Sequence, residues 1–165
     1  MNNLIITGVL IASLAGTQNL QTVTGELLNA PSTNVEISIA TEKATIEKLI
    51  FEYQDALNAS DAGKVVSLYT KNGVLMANAA PTSEGADQVK GTYQYVFDNF
   101  KYDLQFTVLE VEVHGNTAFA RSTSKGSFTI KASGQTLPDE NRELFFFEKE
   151  KGVWKIARYM YNKTN

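Results

Sequence analysis

A chain with no cysteine and a single histidine must do its chemistry with carboxylates, hydroxyls, amides and guanidinium groups. Thiolate nucleophiles, iron–sulfur clusters and cysteine zinc sites are excluded, and His114, read as the tip of a hairpin, leaves nothing from which to build a histidine metal cage. Neither an Asp-x-Asp-x-Asp-Gly calcium loop nor a glycine-rich phosphate loop is present, so no metal and no cofactor is expected. The informative run is Asn141-Arg142-Glu143-Leu144-Phe145-Phe146-Phe147, in which strand alternation puts Glu143 on one face with Asn141, Phe145 and Phe147. A carboxylate among aromatic rings loses the hydration of its charged form, so its pKa rises toward the range where it exchanges a proton near neutrality. Glu143 is therefore the candidate general base, and the competing reading is a structural ion pair with Arg121 or Arg158. Arg121, mid-strand between the small Ala120 and Ser122, and Arg158 are candidates for binding a ligand carboxylate or phosphate; the competing reading of Arg121 is a side chain lying along the surface. Tyr53, Tyr69, Tyr93, Tyr159 and Tyr161 each carry an apolar body and a polar tip, which suits either a core or the wall of a pocket for a flat molecule of mixed polarity.

Positioning these groups requires an ordered set of elements. Ile46, Leu49, Ile50, Tyr53 and Leu57 recur at helical spacing with Glu47, Lys48, Glu52 and Asp55 opposite them, so residues 44–58 are predicted as an amphipathic helix. Asp61 caps a short second helix over 62–69, and Lys71-Asn72-Gly73 turns the chain into a short strand at 74–76. A third helix runs from Ser83 or Glu84 to about Asn99, with Val89, Tyr93, Val96, Phe97 and Phe100 as its inner stripe. Everything after Lys101 alternates as strand, with turns at His114-Gly115-Asn116, Ser133-Gly134 and Lys151-Gly152 and a third strand over 140–150. Helices followed by long hairpins predict an α+β domain in which three N-terminal helices pack on an antiparallel sheet. Leu144 and Phe146, on the face of the third strand away from the helices, need a cover, and a second subunit through the sheet face would supply it.

The length of 165 residues and 43% hydrophobic content suit one domain that buries roughly 70% of its unfolded surface. A net charge of −3 gives no basic footprint, so nucleic acid is not an expected partner. Residues 4–15, LIITGVLIASLA, are apolar but shorter than the roughly 20 residues of a membrane-spanning helix. They read as the core of a signal peptide cleaved after Ala15, which implies an exported protein, or as a retained apolar arm, which leaves a cytoplasmic one. Residues 16–43 read as a polar tether in which Val35-Glu36-Ile37-Ser38-Ile39 alternates like a short edge strand, and the folded domain is taken to span 44–165.

Three stretches in order carry a family resemblance: Ile50-Phe51-Glu52-Tyr53 leading to Asn58-Ala59-Ser60-Asp61, then Val66-Ser67-Leu68-Tyr69, and finally Gly152-Val153-Trp154-Lys155-Ile156-Ala157-Arg158-Tyr159. With the order of elements, they resemble the nuclear transport factor 2-like superfamily, in the style of its SnoaL-like and ketosteroid isomerase-like members. The resemblance implies a cone-shaped fold with a pocket for a small hydrophobic or mixed-polarity ligand and no cofactor, and the homodimer expected from Leu144 and Phe146 stands beside it. It also implies that Tyr53 takes the place of an oxyanion-donating tyrosine, and that Asn141 falls where a second, protonated acid donates a hydrogen bond. The slot of the family's general-base Asp falls on Ala77, with Asn78 beside it, so a steroid isomerase reaction is not expected. Within the resemblance the expected site comprises Tyr53, Asn141 and Glu143 for chemistry, with Tyr69, Asn78, Tyr93, Phe97, Arg121, Phe145 and Arg158 around the ligand. A binding protein, an isomerase, dehydratase or cyclase using Glu143, and a non-catalytic dimerisation module all remain open, because one fold hosts them all.

Overall fold

The structure, a computed structural model, describes residues 32–164, so the readings of residues 1–15 as a signal peptide or arm and of 16–31 as a tether lie outside the described residues. Helix α1 spans Ser32–Asn58, starting twelve residues before the predicted boundary and running through the stretch expected as a tether with an edge strand. Ile37 and Ile39 are exposed, so their period-two spacing reflects no sheet face. Anchors, rather than apolar periodicity, hold this early part: Glu42 accepts from Trp154 Nε1 and Lys149 Nζ, and Lys43 pairs with Glu112 at 3.5 Å. Further along, Ile46, Leu49, Ile50, Tyr53 and Leu57 form the buried stripe that their spacing predicts.

Helix α2 spans Ala62–Ser67 and is capped by Asp61, whose carboxylate accepts from Lys64 N at 2.8 Å. Strand β1 (Tyr69–Met76) starts earlier than expected because Lys71, Asn72 and Gly73 form a bulge rather than a turn that precedes the strand. The two-residue strand β2 (Ser83–Glu84) leads into α3 (Gly85–Asn99), whose Val89, Tyr93 and Phe97 are buried. Four long strands follow: β3 (Phe100–His114), β4 (Thr117–Ile130), β5 (Thr136–Glu150) and β6 (Val153–Lys163).

The α+β reading holds, with one correction: the curved sheet is mixed, in the order β2-β1-β6-β5-β4-β3, and β1 runs parallel to β6. The chain passes from β1 through β2, α3 and the two long hairpins before β6 returns beside β1, so no local turn forces that pair to be antiparallel. Helix α1 packs on β3 and α3 on β1, with α2 between the helices. As the edge strand, β3 would leave backbone groups unpaired, and α1 satisfies some of them. Asn58 both donates to Leu104 O at 2.8 Å and accepts from Leu104 N at 2.9 Å, while Gln54 accepts from Phe106 N at 2.7 Å.

Two irregularities decide which side chains face the helices. A register shift at Leu109 lets Leu104 and Phe106 point inward before it and Val111 after it. A second shift at Ala157 lets both Ile156 and Tyr159 face the core. On β4 the inner face is small, with Ala118, Ala120, Ser122 and Ser124 all buried, and this narrow wall leaves room beside Phe145 and Phe147. At Gly126 the backbones of β3 and β4 approach so closely that a Cβ would sit 2.0 Å from Asp103 O.

Candidate functional site

Between the helices and the concave sheet face lies a cavity of about 180 Å³. Helix α1 contributes Tyr53, α3 contributes Tyr93 and Val96, and β3 contributes Tyr102, Leu104 and Phe106. The polar wall comes from Ser124 on β4 and from Asp139, Asn141 and Glu143, alternate residues of β5. Tyr159, Tyr161 and Lys163 continue that wall on β6, and Ala77 closes it after β1.

Glu143 sits at the centre of this wall and is 5% exposed. Strand pairing sets Ser122 opposite it, and Ser122 Oγ donates to its carboxylate at 3.2 Å. The hydroxyls of Ser124 and Tyr159 also bear on it. Burial pushes its pKa up from 4.5 to about 7; the hydroxyls hold it down somewhat, and the charge of Asp139 adds to the rise. No cation pairs with Glu143 among the described residues, so the expected alternative of an ion pair with Arg121 or Arg158 is not formed.

Asn141 is 3% exposed. Its Nδ2 donates to Ser124 Oγ and to Asp139 Oδ2, both at 3.2 Å. An ionised carboxylate accepts only, so Asp139 fixes which way the amide faces. Both amide hydrogens are thereby engaged, and Oδ1 has no partner among the described residues. Asp139 in turn accepts from Lys163 Nζ at 2.7 Å, and that ammonium lies 5.0 Å from the centre of the Phe128 ring.

Three tyrosines form a buried hydroxyl chain, in which the Tyr93 hydroxyl lies 2.6 Å from that of Tyr53 and 3.1 Å from that of Tyr69. Burial raises the pKa of all three, so they stay protonated at neutral pH. Three hydroxyl hydrogens serve two internal bonds, which leaves one hydrogen free, on Tyr53, Tyr69 or Tyr93 according to the direction of the two bonds. Gly73 makes room for this arrangement, because a Cβ there would lie 2.7 Å from Cδ1 of Tyr69.

The remaining expected residues fall into two groups. Phe145, Phe97 and Tyr69 support the wall from behind: Phe145 stacks on Tyr159 at 4.3 Å and meets Tyr53 edge-on, and Phe97 lies against Tyr93 at 5.7 Å. Arg121, Arg158 and Asn78 do not line the cavity. Alternation turns Arg121 away from Ser122 to the outer face, where Nε binds Glu110 at 2.5 Å. The residue inserted at Ala157 likewise turns Arg158 outward, to the carbonyl of Ala157 and a surface groove with Asn72 and Met76. Asn78 lies past β1, and its Oδ1 is 3.5 Å from Lys163 N.

Asp139, Lys163, Ser122 and Ser124 were not singled out from the sequence. The expected third strand over 140–150 stops one residue short of Asp139, and a proline at 138 gives no local sign that the strand continues through it. In the structure β6 pairs with β5 only from Asn141 onward, so Pro138 sits where β5 has a single neighbour. A signal was available in Asp139, Asn141 and Glu143 as an uninterrupted period of two, with Tyr159, Tyr161 and Lys163 as its counterpart on β6.

Residues 50–159 match the family model described as a SnoaL-like domain. A solved ketosteroid isomerase-like protein from Erwinia carotovora atroseptica shares 35% identity at a TM-score of 0.72, over 75% of this chain and 97% of that one. An NTF2-like protein with a cystatin-like fold from Novosphingobium aromaticivorans aligns over 84% of this chain and 92% of its own, with 17% identity and a TM-score of 0.67. A Caulobacter vibrioides protein with a cystatin-like fold covers 74% of this chain and 89% of its own, at 16% identity and a TM-score of 0.62. No curated protein matches in sequence. The chain belongs to the SnoaL-like family, within the nuclear transport factor 2-like fold.

Proposed function

We propose that the cavity binds a small molecule and that Glu143 exchanges a proton with it, without a cofactor, in an isomerisation or dehydration. The observation that carries this reading is a buried carboxyl in the cavity wall, held among the described residues by hydroxyls alone, where burial pushes its pKa up to about 7. Such a group is ionised and protonated in comparable amounts at neutral pH, which is the condition for accepting a proton and returning it. The Ala77 methyl leaves no acid at the slot where the family resemblance places one, so Glu143 takes that part.

In this reading the ionised Glu143 removes a proton from a carbon next to a ligand carbonyl, and the electron pair of that C–H bond delocalises onto the carbonyl oxygen. If Tyr69 donates to Tyr93 and Tyr93 to Tyr53, the free hydrogen is that of Tyr53, which donates to the developing oxyanion. The proton on Glu143 then returns to another carbon, an isomerisation, or to a departing hydroxyl that leaves as water, a dehydration. A probe is 3-hydroxycyclohexanone in deuterated water. Deuterium uptake beside the carbonyl or release of the enone, with loss of both in Glu143→Gln, supports the reading; equal rates in the two proteins remove Glu143 as the base.

The outer sheet face supports pairing with a second copy. Leu144, Phe146 and Met160 are 41%, 39% and 43% exposed and adjoin one another across β5 and β6. Among the described residues no helix is long and apolar enough to cross a membrane. Export of the chain is proposed from the apolar run at 4–15, and the mass of the mature protein from its own host tests it.

A further inference from the structure

We propose that the cavity takes up a small ring-bearing amine and holds it as its ammonium against the Glu143 carboxylate. This rests on the reading of the cavity as a ligand site and adds a class of ligand that occupies Glu143 and thereby blocks it as a base.

The carboxyl is buried, within reach of the cavity and without a counter-ion. Glu143 lines the cavity at 5% exposure, and no cation pairs with it among the described residues. Ser122 Oγ donates to its Oε2 at 3.2 Å, and the hydroxyls of Ser124 and Tyr159 bear on the carboxyl without a second close bond. The one unpartnered side-chain oxygen sealed among the described residues is Asn141 Oδ1, so Oε1 of Glu143 keeps surface that a ligand can reach. A buried carboxylate without a counter-ion is unfavourable, and either a proton or a cation relieves it. The proton comes from solvent. The cation has to come with a ligand, because Arg121 and Arg158 lie outside the cavity and Lys163, the one cation of its lining, is held by Asp139 at 2.7 Å.

The rest of the wall favours the same charge. Tyr53, Tyr93, Tyr102, Phe106, Tyr159 and Tyr161 bring aromatic side chains to the cavity, and a ring face attracts a cation. Lys163 already displays this chemistry: its ammonium meets the Asp139 carboxylate and lies 5.0 Å from the centre of the Phe128 ring. Glu143 with the rings around it is the same combination of carboxylate and aromatic surface. A carboxylate ligand, by contrast, meets two carboxyl groups and no free cation. A volume of about 180 Å³ is somewhat larger than the roughly 150 Å³ cavity that accommodates benzene, so one ring with a short side chain fits.

Proton and ammonium compete for one carboxylate, so the affinity depends on pH. An alkyl amine stays charged well above neutrality, and the change therefore comes from Glu143, whose pKa burial pushes up to about 7. Facing the cavity with it are Tyr53 on α1, Tyr69 on β1, Tyr93 on α3, Tyr102 on β3, and Tyr159 and Tyr161 on β6, all kept protonated at neutral pH by burial. Asp139 on β5 is paired with Lys163, and β4 presents the hydroxyls of Ser122 and Ser124. Below pH 7 each further unit therefore weakens amine binding about tenfold.

The test uses the full chain and three probes of similar size: benzylamine, benzyl alcohol and benzoate. Calorimetry at pH 8 is expected to show benzylamine binding at least about tenfold more tightly than benzyl alcohol, the effect of a charge-assisted bond to a buried group, with benzoate the weakest. Between pH 8 and pH 5 the affinity for benzylamine should fall about a hundredfold while that for benzyl alcohol changes little, and at pH 6 each amine bound should release about one proton to the buffer. Glu143→Gln should lose both the amine preference and its pH dependence. Benzyl alcohol or benzoate binding as tightly as benzylamine at pH 8 overturns the proposal, as does an amine affinity that is flat with pH or an amine preference that survives in Glu143→Gln; each of these leaves the small-molecule reading standing. Failure of all three probes to bind at millimolar concentration overturns the proposal and that reading together. The pH series on the unaltered chain decides the matter even if Glu143→Gln does not fold.

Discussion

Replacing Glu143 by Gln should make the protein more stable at alkaline pH and leave it nearly unchanged at acid pH. The carboxyl titrates at about 7 in the folded chain and at 4.5 when it is freely hydrated. Below pH 4.5 it is protonated in both states and contributes no pH dependence. Between 4.5 and 7 the folded state binds the extra proton, so stability falls as pH rises, and above 7 the full penalty of a buried carboxylate is present. The interval corresponds to about 3 kcal/mol. At 5% exposure solvent screens little of it. Gln stays neutral throughout, and Ser122 and Ser124 can turn their hydroxyls to suit either side-chain atom, so the variant keeps its packing without the titration. Urea denaturation of both proteins from pH 4.5 to 8.5 measures the effect, because all other titrating groups cancel in the difference. The expected result is near-equality at the acid end and an advantage of about 3 kcal/mol for Glu143→Gln at the alkaline end. Parallel curves, or an advantage that shrinks with pH, would refute the assignment of a raised pKa to Glu143.

Other perturbations test the scaffold. Gly126→Ala drives a methyl to within 2.0 Å of Asp103 O, so the β3–β4 pair must open; a loss of about 3 kcal/mol is expected in denaturant titration, and an unchanged midpoint would contradict the close approach. Tyr93→Phe removes the hydroxyl common to the 2.6 and 3.1 Å contacts and should destabilise the chain by about 2 kcal/mol in a thermal melt, whereas a neutral substitution would show that the hydroxyl chain contributes nothing. In sedimentation equilibrium the unaltered chain should be a dimer and the double variant Leu144→Asp, Phe146→Asp a folded monomer; a monomeric parent at micromolar concentration would remove the proposed pairing.

Local periodicity made most of the architecture readable. The buried stripe from Ile46 to Leu57 follows helical spacing, and the alternation of Glu143, Phe145 and Phe147 fixes the inner face of β5. Period breaks and long-range partners were not readable in the same way. The extra residues at Leu109 and Ala157 move later side chains to the opposite face, so Arg158 points outward and Tyr159 inward, and a single strand carries no mark of which residue its neighbour skips. The early turns of α1 depend on Glu42 meeting Lys149 and Trp154, contacts more than a hundred positions away in sequence. For the site, strand parity brought Asn141 and Glu143 together, but the polarity of Asn141 depends on Asp139 and Ser124, whose placement requires the register of β4 against β5.

The most direct measurement is a carbon-13 NMR titration of a chain labelled at its glutamate carboxyls, with and without phenol. One glutamate signal should titrate near pH 7, vanish in Glu143→Gln and move when phenol is added, placing a proton-exchanging carboxyl in an occupied cavity. If every glutamate titrates in the ordinary range near 4.5, or if phenol leaves the Glu143 signal where it was, the cavity is not the acid–base ligand site proposed.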